Sequence, residues 1–220
     1  MPSNGLYALV ERLDAWLPQT QCRQCGYPRC REYAEALATG GADVNQCPPG
    51  GEVTIEALST LLRGAPKLLD PHFGRHQPRA RAVIEETLCI GCRKCIDVCP
   101  VDAILGARKL MHTVIAHECT GCKLCLLPCP VDCITMVPVR SPLNHEPWLE
   151  YARAETDRWR QRTERRVQRL ARNKRQRRKN SSYQPPSAPD RERIRADIRA
   201  AVSRVRGRKR GATGTGSSST

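Results

Sequence analysis

The chain has little of what a large hydrophobic core is made from. Its 220 residues include one Phe, three Trp and five Tyr. So little aromatic mass excludes one extensive core and favours one or two small domains with extensions. No run of about 18 apolar residues occurs, so no membrane-spanning helix is expected. The opening stretch MPSNGLYALVERLDAW is interrupted by Glu11, Arg12 and Asp14 and does not read as a secretory leader. No G-x-G-x-x-G or Walker loop appears, so no nucleotide site is expected. The five histidines (His72, His76, His112, His117 and His145) are scattered and form no metal pair, which points to surface or packing roles. Nothing resembles a constellation for acid/base or covalent catalysis.

Cysteine, by contrast, is abundant, with 13 in the chain. Without a secretory leader these read as metal ligands or redox thiols, not as disulfide partners. Charge is unevenly placed. Residues 1–150 hold 15 basic and 16 acidic side chains, whereas residues 151–220 hold 22 basic and 6 acidic ones. The basic character therefore belongs to a C-terminal segment with no cysteine.

A repeat organises the middle of the chain. CIGCRKCIDVCPVDAIL (89–105) aligns with CTGCKLCLLPCPVDCIT (119–135) at an offset of 30, with nine of 17 positions identical. Short β-like pieces, AVIEE and TVIAH, precede the two units, and AIL and CITMV follow them. Each half reads as strand, cysteine loop, helical turn, strand. Two halves related by a pseudo-twofold axis make a small two-cluster ferredoxin-like domain, so the expected class is α+β.

The spacing C-x₂-C-x₂-C-x₃-C-P is that of bacterial ferredoxins, in which the fourth cysteine serves the other cluster. Cys89, Cys92, Cys95 and Cys129 are thereby assigned to one 4Fe–4S cluster, and Cys99, Cys119, Cys122 and Cys125 to its partner. Gly91 and Gly121 would let the loop backbone approach the sulfides. Structural zinc uses pairs of cysteines more often than triplets followed by C-P, which disfavours it here. A second pattern lies upstream, with Cys22, Cys25 and Cys30 spaced C-x₂-C-x₄-C. Its fourth member is Cys47 or Cys133; Cys47 is preferred because, like Cys99 and Cys129, it precedes a proline. A predicted helix and a Gly-Gly turn would bring it back. A third cluster or a zinc ion would suit these four residues. Cys133 stands where Ala103 stands in the first repeat and reads as a buried, unligated thiol.

Helical periodicity predicts helices over Leu6–Leu17, over CREYAEALATGG (30–41) and over TIEALSTLLRG (54–64). The expected division is a helical cluster domain over 1–63, a linker over 64–80, the two-cluster domain over 81–140 and a basic tail over 141–220. Within the tail, helices are expected near 147–179 and 190–206, a break at NSSYQPPSAP, and disorder in GATGTGSSST.

The stretches LPQTQCRQCGYPRC, VNQCPPGGE, CIGCRKCIDVCPVDAI, MHTVIAHECTGCKLC and PCPVDCITM resemble the B subunit of the Rnf electron-transport complex, over about residues 14–139. The resemblance implies three 4Fe–4S clusters and makes Cys22, Cys25, Cys30 and Cys47 the ligands of the first. It also implies a membrane-bound ferredoxin:NAD oxidoreductase that couples electron flow to ion transport, with other subunits as partners. Two features depart from the family: the hydrophobic anchor at the start of many members is missing, and Arg23 and Arg29 stand where glycine is frequent. The expected location is cytoplasmic, or peripheral on the inner membrane. Other readings are a free-standing polyferredoxin serving a soluble reductase and a nucleic-acid-associated iron–sulfur protein. The basic tail reads as a solvated extension, a segment docking on a partner or an anionic membrane, or a nucleic-acid contact. Because no ligand lies beyond Cys133, removal of everything after Glu150 is expected to leave the clusters intact.

Replacing Cys47 by Ala is expected to remove one cluster and spare the other two. An undiminished iron count in that variant would assign the fourth ligand elsewhere.

Overall fold

The computed structural model describes residues 4–139, 148, 150–179 and 187–213. The expected break falls mostly on 180–186, and most of the expected disordered end on 214–220; both lie outside the described residues.

Three helices form the first unit: α1 (Asn4–Ala15), α2 (Cys30–Ala38) and α3 (Gly51–Leu61). Val10, Leu13, Leu17, Tyr33, Ala34, Leu37, Ile55 and Leu58 are buried together, as the periodicity predicts. Helix α2 stops where Gly40 takes a left-handed turn at φ 75°. Its Tyr33 is wholly inside, and the hydroxyl donates to Asp43 O at 2.6 Å, pinning the segment that returns to Cys47.

In the second unit the strands are β1 (Ala80–Ile84), β2 (Ile104–Leu105), β3 (Thr113–Val114) and β4 (Ile134–Pro138), with the short helix α4 (Lys94–Val98) between β1 and β2. The strands pair across the repeats. β1 runs antiparallel to β4, with Ala82 opposite Met136, and β2 runs antiparallel to β3, with Ile104 opposite Val114. The fold is therefore a mixture of helices and two small sheets. Backbone conformation repeats with the sequence: Gly91 and Gly121, Arg93 and Lys123, and Asp102 and Asp132 all have positive φ.

The last two helices are α5 (Arg153–Lys179) and α6 (Ala188–Thr213). Helix α6 runs past Gly207 to Thr213, further than expected. The first half of α5 is not a solvated extension. Trp159 and Thr156 are fully buried, and Thr163 and Arg166 nearly so. These residues lie on one face at helical spacing, and Trp159 joins Trp148 and Tyr151 in the core of the second unit. Val202 and Val205 of α6 enter the same cluster.

Arginines on α5 tie it to both units. Arg160 pairs with buried Asp14 of α1 at 2.7 Å, and Arg153 donates to Ala15 O and lies over the Trp16 and Trp148 rings. Arg158 and Arg162 pair with buried Glu118 at 3.4 and 3.3 Å. Asp102 receives Arg169 at 2.8 and 2.9 Å and also pairs with Arg166. In the other direction, buried Arg79 grips Glu155 of α5 with two bonds of 2.8 and 2.9 Å. Burial works against ionising Asp102 and Glu155, but their arginine partners hold both carboxyls below the usual range. That contribution to stability is present at neutral pH and is lost as pH falls through the lowered values.

Helix α5 is thus a strap, which alters the expected outcome of truncation. Removing residues after Glu150 strips Trp159 from the core and is expected to lower the melting temperature, whereas ending the chain after Lys179 keeps the strap. Trp159→Ala is expected to cost about 3–5 kcal/mol, measured by thermal or denaturant unfolding. A truncation after Glu150 that unfolds like the intact chain would refute this role.

Candidate iron–sulfur sites

None of the 13 cysteines is paired in a disulfide. They are brought together in three groups. Cys95 is desolvated and lies in the field of Cys92, Cys89 and Cys129, which together push its thiol up to about 12. Desolvation and the field of Cys122, Cys119 and Cys99 push Cys125 up to about 12 as well. In the first unit, burial raises Cys30 and Cys47; Cys47 and Cys22 add to the effect at Cys30, and Cys22 and Cys25 at Cys47. Metal centres bind the thiolate form, which burial disfavours here, so metal binding at these groups is coupled to proton release. Among the described residues no three or more His, Cys, Asp or Glu side chains are set for a single metal ion.

The loops carry the features that an anionic cluster requires. Backbone N–H groups point at ligand-type sulfurs: His112 to Cys89 at 3.3 Å, Ala103 to Cys99 at 3.2 Å and Ala82 to Cys119 at 3.4 Å. Such donors stabilise thiolate charge. Each group in the second unit faces a hollow with apolar walls, one lined by Val101, Ala103, Ile104 and Met136 and the other by Ile84, Ile90, Val131 and Ile134. The donor set fits a cluster held by four thiolates in a dry surrounding. Gly91 and Gly121 also have a second purpose. A Cβ on Gly91 would sit 2.5 Å from the Leu110 backbone, and one on Gly121 2.3 Å from Ala80 O. The two glycines let a neighbouring chain segment cross each cysteine loop, and their positive φ favours glycine as well.

Cys133 is buried with its sulfur 3.6 Å from that of Cys129, so it touches one cysteine group from outside the predicted quartet. His112, expected in a surface or packing role, is fully buried and lies on Cys95, Nδ1 to Sγ 3.3 Å. Gly106 makes room for it, since a Cβ there would sit 2.2 Å from the ring. The His112 contact does not follow from sequence spacing, because the ring arrives from 17 residues away.

The two units meet at their cysteine loops. Thr120, next to Cys119, donates its hydroxyl to Thr20 O at 2.9 Å in a buried contact spanning 100 residues. Cys22 and Cys122 line the same gap. Arg162 donates to Val101 O at 2.7 Å and Arg166 to Asp97 O at 2.5 Å, so strap cations lie beside the loop of Cys99. Sequence reading missed Thr20, Thr120 and these arginines, and no motif marks them.

The chain is similar to known iron–sulfur proteins over the segments that hold these cysteines. A family model described as "4Fe-4S dicluster domain" matches residues 82–136, and one described as "Putative Fe-S cluster" matches residues 17–49. The chain therefore carries 4Fe–4S domains. It is 61% identical over 140 residues to the B subunit of the ion-translocating oxidoreductase complex of Thiobacillus denitrificans, covering 64% of this chain and 74% of that protein. The corresponding B subunits of Azoarcus sp. and Shewanella oneidensis are 58% and 59% identical over 140 residues, covering 64% of this chain and 76% and 72% of theirs. No solved structure matches. No helix among the described residues is long and apolar enough to cross a membrane. With this identity over nearly three quarters of its relatives' length, the chain belongs to the family of B subunits of the ion-translocating oxidoreductase complex.

Proposed function

We propose that the chain is a one-electron relay with three 4Fe–4S clusters, working as the electron-transfer subunit of an Rnf-type complex that exchanges electrons between ferredoxin and NAD. Cys22, Cys25, Cys30 and Cys47 would hold the first cluster. Cys89, Cys92, Cys95 and Cys129 would hold the second, and Cys99, Cys119, Cys122 and Cys125 the third. The clusters supply the redox chemistry; the protein contributes position, dryness and N–H donors. The observation that carries this reading is the grouping of the cysteines, in which Cys129 lies in the field around Cys95, and Cys99 in that around Cys122 and Cys125. Crossed strand pairing supports a pseudo-twofold arrangement of the halves.

The Thr20–Thr120 contact supports an order of relay. The first site adjoins the loop of Cys119 and Cys122, so it communicates with the third cluster before the second. The division into 1–63, 64–80 and 81–140 is kept, with the amendment that the strap binds the first and last of these. A membrane partner, ion transport and a place on the cytoplasmic face of the inner membrane belong to this same reading.

Anaerobically prepared protein is expected to contain about 12 iron and about 12 sulfide per chain. Iron near eight with stoichiometric zinc would reassign the first site. Cys129→Ala is expected to damage the cluster of Cys89, Cys92 and Cys95, and cluster-resolved paramagnetic resonance checks it. Loss at Cys119, Cys122 and Cys125 instead would overturn the crossing.

Cys133→Ala is expected to keep the full iron count, because Ala103 fills the matching place in the first repeat. Loss of iron in that variant would make Cys133 a ligand.

A further inference from the structure

A cleft of about 1490 Å³ lies between the second unit and the two C-terminal helices. Of the quartet Cys89, Cys92, Cys95 and Cys129, only Cys92 lines it. Arg93, Arg108 and Lys109 stand on one side of it and Arg204 of α6 on the other. All four are exposed, and among the described residues they have no ion pair. Asp102 on the same wall is already held by Arg166 and Arg169, and with Asp97 and Asp197 the lining has three carboxylates against eight arginine and lysine side chains. Ile90, Ile96, Leu170 and Ile198 add apolar surface to the lining.

We infer that this cleft is the docking surface for an acidic electron-carrier protein, which approaches the chain at Cys92. Four observations favour that occupant. The space exceeds the roughly 300–1,000 Å³ of small-molecule pockets, so a macromolecule suits it better. The uncompensated cations repel one another until an anionic face arrives, which gives both steering and selectivity. The mixture of apolar floor and charged rim is that of a protein interface. A lipid surface is flat and would meet the outer faces of α5 and α6, not the concavity between them, and the lining has no aromatic platform for nucleic acid. The docked carrier gains or loses one electron and the chain changes by one in the opposite sense; no bond forms and no proton moves.

The inference rests on the electron-relay reading above, and the test separates the two. The intact, anaerobically prepared chain is titrated with an acidic ferredoxin carrying two 4Fe–4S clusters, by calorimetry at low and high salt. Arg108→Glu combined with Lys109→Glu, and separately Arg204→Glu, are expected to weaken binding by about tenfold or more at low salt and to flatten its salt dependence. Arg172→Glu combined with Arg175→Glu changes net charge as much as the first pair, but on exposed positions of α5 outside the cleft, and is expected to change affinity less than about threefold. Unchanged visible spectra and melting temperatures establish that the variants fold. Equal losses in the cleft and control variants would overturn the inference. So would cleft-dependent binding to phosphatidylglycerol vesicles or duplex DNA with none to the ferredoxin. A chain without iron that still binds the ferredoxin through these residues would sink the relay reading and leave the docking surface standing.

Discussion

The second unit depends on the crossing of its two repeats. The first strand of one half pairs with the last strand of the other, and the remaining two strands pair in the same crossed way. Neither half can form its sheet alone. The same crossing brings Cys129 to the group around Cys95 and Cys99 to the group around Cys125. Strand pairing and cysteine grouping are therefore two consequences of one topology. This explains how so few apolar residues suffice. The largest buried side chains of the second unit are Trp148 and Trp159, contributed by the segment that follows it, while much of the remaining interior consists of thiols and small aliphatic groups. A core made this way is stabilised by whatever joins its sulfurs as much as by hydrocarbon burial.

Electrostatics divides the chain differently from the formal count. The C-terminal segment is strongly basic, but the strap half of α5 is neutralised in place by Asp14, Glu118 and Asp102. Those acids are spread over both units, so pairing holds the units in register. The remaining cations are on the far half of α5, on α6 and around the mouth of the cleft. Each oxidised cluster adds a formal charge of about −2, and strap arginines lie beside the loop that would carry one of them. The body and the strap are therefore complementary surfaces.

The cysteine groups and the strands of the second unit were legible because both follow from local rules: fixed spacing, a repeat, and β-branched residues bounded by turns. The helices of the first unit were legible from Leu6, Leu9, Leu13 and Leu17. Packing of α5 was not. Its buried face has Thr156, Trp159, Thr163 and Arg166, with only one large apolar side chain, so the pattern resembles a solvated basic helix. Acids far away in the chain are what make that face buriable, and no window of sequence contains both sides. The Thr20–Thr120 contact was hidden for the same reason. His112 was discounted because its neighbour in space, Cys95, is distant in sequence and because a lone histidine carries no motif.

The strap also implies a sequence of events during biogenesis. Its bonds to Asp14 and Ala15 span 146 and 138 residues, and it leaves the ribosome after every cysteine has been made. Closing loops of that size early would cost entropy with few contacts in return. The two units can therefore collapse, and their sulfurs remain reachable by assembly factors, before α5 lies down across them. Once it does, Arg162 and Arg166 cover the carbonyls beside Cys99, and Trp159 seals the interior. The strap is made after every cysteine and before α6, so it can close over the body once the sulfurs have been reached, and a chain cut short before it would be left as an open intermediate exposed to oxidants.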